Sequence, residues 1–142
     1  IKNQVERSVD LGANIVCGGT RVGSVGYYYA PTILTDITAA MPVYSEETFG
    51  PVFSVFKCNE VNQMVDLAND TDFGLGGSVW SKNREKALSI ARRIETGTVF
   101  INDFTKSDPG LPFGGVKNSG YGRELSEIGI KEFVNVKTIA IF

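Results

Sequence analysis

Between Val52 and Asn102 the hydrophobic period of the chain changes four times, and few folds accommodate that. Val52-Phe53-Ser54-Val55-Phe56 is apolar on both faces apart from Ser54, the composition of a strand covered by helices on each side. Val61, Met64, Val65 and Ala68 then follow the i, i+3, i+4, i+7 rule of an amphipathic helix. Asn59 reads as its cap, Met64 as core filler and Asn69-Asp70-Thr71-Asp72 as its stop. Leu75 to Trp80 returns to a strand, and Ala87, Ile90, Ala91 and Ile94 line one face of a second helix. Arg92 and Arg93 fall in its last turn, where cations suit the helix dipole, and Gly97 supplies the stop. Thr98 to Asn102 is the next strand and opens into the loop Asp103 to Gly110. Strands alternating with helices predict an α/β fold with a mainly parallel sheet flanked by helices. Such sheets place ligands at the carboxyl ends of their strands, so substrate contacts are expected in that loop.

The flanks read less regularly. Ile1, Val5 and Val9 recur at helical spacing with Gly12 as a stop, yet no capping residue precedes Ile1 and no initiating methionine is present. The expectation is a piece of a longer protein. Ala13 to Cys17 reads as a strand ended by Gly18-Gly19, and the chain is loop to Gly26. Tyr27, Tyr28 and Tyr29 read as packing residues in a β-prone run that Pro31 bends before a turn at Asp36. Leu125, Ile128 and Phe133 line a final helix starting near Arg123, and Val134 to Phe142 reads as a terminal strand. Neither Gly18 to Gly26 nor Gly120-Tyr121-Gly122 has the pattern of a phosphate-binding loop.

Composition narrows the function classes. Fourteen basic against sixteen acidic residues, without a basic cluster, argue against nucleic acid or an anionic membrane as partner. No apolar run approaches the roughly 20 residues that cross a bilayer. Cys17 and Cys58 lack metal-ligand spacing, and histidine is absent, so no metal site is expected. A chain of this size needs no disulfide, and a cytoplasmic, reduced protein is the default. Cys17 sits in an apolar run with no neighbouring cation or base, the setting of a buried, unreactive thiol, and Cys58 reads the same way.

Chemistry concentrates in Glu46-Glu47-Thr48-Phe49-Gly50-Pro51-Val52. In an extended chain Glu47 and Phe49 share a face, roughly 6.5–7 Å apart, and Glu46 and Thr48 share the other. A carboxylate beside a flat apolar ring suits a sugar diol joined to a heterocycle, the shape of a nicotinamide riboside. Gly50-Pro51 fixes where the pair points. The same residues also fit two solvated glutamates ahead of a core strand.

A second stretch, Leu111-Pro112-Phe113-Gly114-Gly115-Val116-Lys117-Asn118-Ser119-Gly120-Tyr121-Gly122-Arg123-Glu124, makes the pattern specific. Together the two stretches resemble the aldehyde dehydrogenase superfamily, in its carboxy-terminal portion, over about Ile1 to Phe142. The resemblance implies that Glu47 meets the nicotinamide ribose hydroxyls of NAD or NADP, that Phe49 lies near the nicotinamide ring, and that Phe113 belongs to the substrate pocket. It assigns 1–133 to the catalytic domain and 134–142 to an oligomerisation strand of a homo-oligomer. In the family the nucleophilic cysteine that forms the thiohemiacetal, the base, the oxyanion donor and most of the cofactor site lie upstream of this stretch, so the chain alone is expected to be inactive. Asp103 to Gly110 resembles the family's aldehyde-pocket loop. Lys106 and Ser107 there resemble the succinate-semialdehyde dehydrogenase arrangement, in which a serine helps hold the substrate acid. A solvated Lys106 with Ser107 capping a turn is the other reading. A non-catalytic structural or interaction module of the same fold also remains open.

Overall fold

The computed structural model describes all residues, Ile1–Phe142, and is mixed α/β. It resolves into two compact units, Ile1–Cys58 and Asn59–Phe142.

In the first unit, α1 (Lys2–Asp10) forms where the Ile1, Val5, Val9 spacing places it, and it ends through Leu11 into Gly12 at φ 107°. That backbone conformation strains any residue with a Cβ, so glycine sets the stop. Three short strands follow: β1 (Asn14–Cys17), β2 (Thr32–Thr35) and β3 (Val52–Ser54), in the order β1-β2-β3. β1 pairs antiparallel to β2, and β2 pairs parallel to β3. The short α2 (Pro42–Ser45) precedes β3, with Pro42 at a first-turn position that needs no N–H. Val5, Ala13, Leu34, Met41 and Val43 form the core. Burial of each of Val5, Leu34, Met41 and Val43 stabilises the unit by about 1.5–3 kcal/mol, and Ala13 by less. Ser8 is fully buried and satisfied: its hydroxyl donates to the Gln4 carbonyl at 2.8 Å and accepts the Val43 N–H at 3.3 Å.

The second unit opens with α3 (Val61–Asn69) and the two-residue strand β4 (Phe73–Gly74). β5 (Gly76–Val79), α4 (Arg84–Ala91) and β6 (Thr98–Ile101) make a β-α-β unit with β5 and β6 parallel. Ala87 and Ile90 are buried on α4, and Ala91 and Ile94 are half-buried, as the spacing requires. The Asn83 side chain caps this helix by accepting the Lys86 N–H at 2.9 Å. β7 (Val116–Lys117) pairs antiparallel to β4, and α5 (Ser126–Lys131) follows. No helix is long and apolar enough to cross a membrane.

Several expectations are corrected. The strands form three small sheets, and two of the four pairings are antiparallel, so this chain holds no single mainly parallel sheet. Val52 to Phe56 alternates half-buried and exposed, with Phe53 at 62% exposure, because only one face of its sheet is packed. Asn59 does not cap α3: Glu60 holds that position, while the Asn59 N–H donates to the Gln63 side chain. Met64 and Ala68 are exposed and Val65 carries the burial. Arg92 and Arg93 lie beyond the last residue of α4, and Gly97 belongs to the approach to β6. Tyr27 and Tyr28 are exposed, and only Tyr29 packs on the core. Burial, and then the charge of Glu6, hold its phenol above the ordinary tyrosine range. Cys17 is exposed because β1 is an edge strand whose four residues all face solvent. Phe133 is also exposed, and Val134 to Phe142 forms no strand, since every residue there is exposed and no ladder partner reaches it.

Candidate functional site

Residues Glu46 to Pro51 follow α2 as irregular chain, not as a strand, and β3 begins at Val52. Its backbone is fastened by close bonds: Gly50 N–H to the Thr48 carbonyl, Val52 N–H to the Gly50 carbonyl, and Thr32 N–H to the Pro51 carbonyl, each 2.8 Å. The last of these ties the stretch to β2. The two glutamates are then treated differently. Glu46 lies 3.6 Å from the Arg7 guanidinium and accepts from the Gln4 amide at 3.1 Å, so α1 holds its carboxylate. The same Gln4 nitrogen donates to the Glu47 backbone carbonyl at 3.1 Å, fixing the chain at Glu47 while its carboxylate keeps no protein partner and stays exposed. Phe49 is 85% exposed. An uncommitted acceptor and a bare ring two residues apart, on backbone fixed at both ends, fit a ribose diol and a flat heterocycle.

In the second unit the loop after β6 begins at a clasp. Asn102, at φ 56°, accepts the Ser81 N–H at 2.8 Å and donates to the Ser81 carbonyl at 3.0 Å, while its own N–H reaches Val79 at 2.9 Å. The carboxyl ends of β5 and β6 are thereby locked together. Phe104 stands edge-on to Trp80 with ring centroids 5.5 Å apart, and the Thr105 hydroxyl donates to the Gly77 carbonyl at 3.3 Å. Asp103 accepts the Phe104 N–H at 2.8 Å and pairs with the Lys106 ammonium at 2.5 Å. The Lys106 bond first, and the Phe104 N–H second, hold the Asp103 carboxyl below the ordinary carboxylate range. Asp108 accepts the Gly110 N–H at 2.8 Å and closes the far turn. Ser107 lies between these fixed halves, exposed, with no hydrogen-bond partner for its hydroxyl. Asp108, not Ser107, is the turn cap, and Lys106 is already paired.

Phe113 exchanges two backbone bonds with Glu124, N–H to carbonyl at 2.9 Å and the reverse at 2.8 Å, which closes the mouth of the 113–124 loop. Arg123 donates to the carbonyls of Gly115 and Gly122 across that loop at 2.8 and 2.6 Å. The half-buried Phe113 borders an open cavity of about 450 Å³ shared with Leu75, Tyr121 and Phe133. Lys117 points away from any ligand role: its ammonium donates to the carbonyls of Asn69 at 2.7 Å and Thr71 at 3.1 Å and lies 3.2 Å from Glu95. Ser119 accepts the Gly74 N–H at 3.0 Å. Lys117, Ser119 and Arg123 of the second motif are thus bonded within the fold, and Phe113 and Tyr121 supply the aromatic side chains that this motif brings to the cavity.

Sequence reasoning missed Asp103 as the partner of Lys106, Asn102 as a clasp and Lys117 as a peg. Only the first left a signal, an acid and a base three residues apart.

The aldehyde dehydrogenase family model matches residues 1–139. The chain is 49% identical over 141 residues to succinate-semialdehyde dehydrogenase (NADP+) 1 of Mycobacterium tuberculosis, covering 99% of this chain and 31% of that protein. It is 47% identical over 141 residues to succinate-semialdehyde dehydrogenase (NADP+) of Mycobacterium leprae, again covering 99% and 31%. Among solved structures, succinic semialdehyde dehydrogenase from Streptococcus pyogenes, in complex with NADP+ as the cofactor, superposes with a TM-score of 0.94 at 44% identity, covering 99% of this chain and 31% of that one. A Mycobacterium tuberculosis aldehyde dehydrogenase complexed with NAD+ gives a TM-score of 0.86 at 38% identity, covering 93% and 28%. The chain spans about 31% of the length of these curated relatives.

Proposed function

We propose, from the premise that this chain belongs to the aldehyde dehydrogenase family, that it is the carboxy-terminal part of an NAD(P)-dependent enzyme oxidising a semialdehyde acid, succinate semialdehyde being the substrate its relatives are named for. One observation carries the reading. In each recognition segment the charged neighbours are committed to the protein, Glu46 to α1, Lys106 to Asp103 and Asp108 to Gly110, which leaves the Glu47 carboxylate, with the Thr48 hydroxyl beside it, in the first and the Ser107 hydroxyl in the second.

The nicotinamide supplies the hydride acceptor. Glu47 accepts hydrogen bonds from its ribose hydroxyls, and the Phe49 ring shields one side of the heterocycle from water. Ser107 donates to the substrate's remote carboxylate, and Phe113 forms an apolar wall of the pocket. The cysteine nucleophile, the base and the oxyanion donors belong to the rest of the parent protein, as does most of the NAD or NADP site, and the segment alone is inactive. The parent acts as a cytoplasmic homo-oligomer, in which 134–142 gains the ladder partner it lacks here.

The test is Ser107→Ala in the parent protein. The KM for succinate semialdehyde should rise by about 1.5–3 kcal/mol in binding, roughly tenfold to a hundredfold, while a neutral aldehyde of the same length is unaffected. Equal effects on both aldehydes would remove Ser107 from the substrate site. A parent protein that forms no NADPH or NADH with any aldehyde would leave the non-catalytic module as the reading.

A further inference from the structure

The pocket loop holds a cation that its own backbone keeps out of use. Asp103 is fixed by the Phe104 N–H at 2.8 Å, so its second oxygen lies where the Lys106 ammonium meets it, at 2.5 Å. Lys106 immediately precedes Ser107, the residue with the free hydroxyl. Asp108 follows Ser107, so Asp103 to Gly110 carries two carboxylates and one ammonium, and the loop presents no net positive charge to an anion. Asp103 has a second anchor in the Phe104 N–H whereas Lys106 has Asp103 alone, so Asp103 sets whether the Lys106 charge is available.

We infer that Asp103 is a specificity-determining residue: by neutralising Lys106 it limits the affinity of the loop for anionic aldehydes and keeps recognition on the Ser107 hydroxyl. The inference rests on the reading of Ser107 above. Charge is the quantity at stake, so the effect acts on anionic substrates alone and is screened by salt. Asp103 is a positioning residue here, touching Lys106 and not the substrate.

The experiment compares kcat/KM for succinate semialdehyde and for a neutral aldehyde of equal length in the parent protein and its variants. Asp103→Asn keeps the acceptor for the Phe104 N–H and removes the charge. It should raise the preference for the anionic aldehyde about threefold to fivefold at low salt, the scale of an exposed ion pair, with the gain fading as salt is added. Asp103→Ser makes the same charge change if the asparagine variant does not fold. Lys106→Met should lower the preference, and the charge-balanced Asp103→Asn/Lys106→Met variant should return it to the parent value. A double variant as impaired as Lys106→Met alone would overturn the inference, because Lys106 would then bind the carboxylate despite Asp103. So would an Asp103→Asn variant that leaves both aldehydes unchanged or shifts them equally. Ser107→Ala is scored separately: substrate-independent loss there defeats the Ser107 reading, whereas the Asp103 variants report on the charge.

Discussion

Replacing Lys117 by methionine removes an ammonium that stands at the carboxyl end of α3, where the last carbonyls have no helical partner. In the native chain it serves Asn69 and Thr71 at 2.7 and 3.1 Å and meets Glu95 at 3.2 Å. The Lys117 side chain is 27% exposed and Glu95 62%, so the ion pair itself contributes little. The two carbonyl bonds matter more, because a bond to a charged donor is worth about 1.5–3 kcal/mol when buried and less where solvent can replace it. Both bonds are exposed, so their loss, with that of the favourable charge at the helix end, gives about 1–2 kcal/mol for Lys117→Met. Methionine fills similar space, so the cost is polar and not a cavity. Trp80 is the only tryptophan and lies in the same unit, against Phe104, so its fluorescence reports unfolding by urea. With a slope of about 1–3 kcal/mol per molar, the midpoint should fall by roughly 1 M, and Lys117→Arg should restore most of it. A midpoint unchanged in Lys117→Met would refute the peg.

Gly97→Ala places a Cβ 1.6 Å from the Gly114 carbonyl oxygen, backbone against backbone, and should cost at least about 3 kcal/mol by the same urea assay. The Asp103 carboxyl, lowered first by Lys106, should titrate in an NMR experiment below the ordinary value of about 3.9. Its folded value is depressed, so the pair's contribution is present above the unfolded pKa and lost as pH falls through the folded one; Lys106→Met should move the titration back up. Deleting 134–142 should change the unfolding free energy of this chain by no more than about 0.5 kcal/mol, because the segment is wholly exposed, while light scattering should show the parent losing its higher oligomer.

The β-α-β unit around α4 was legible because Ala87, Ile90, Ala91 and Ile94 carry a full helical period and burial follows that period. The same rule misplaced Met64 and Ala68, since amphipathic spacing gives a face but not how much of it a neighbour covers. Val52 to Phe56 showed the limit from the other side: an apolar run cannot say whether both faces find a partner, and here one does not. At the site, the types of Glu47, Phe49, Ser107 and Phe113 were visible, but their availability was not. Availability depends on who else is bonded, and Gln4 to Glu46, forty-two residues apart, is a relation no local pattern records. The i, i+3 pair of Asp103 and Lys106 is local enough for the sequence to record, although that spacing alone does not say that the two side chains meet in a loop.

The sharpest claim is that two adjacent glutamates divide structure from chemistry, and single-turnover hydride transfer in the parent protein tests it with Glu46→Gln and Glu47→Gln side by side. Glu47→Gln, which loses a charged acceptor for the ribose hydroxyls, should slow hydride transfer by about tenfold or more with little change in unfolding midpoint. Glu46→Gln gives up the Arg7 contact and should leave hydride transfer nearly intact. Equal rates for Glu47→Gln and the unaltered parent, or a larger loss in Glu46→Gln, would contradict the assignment.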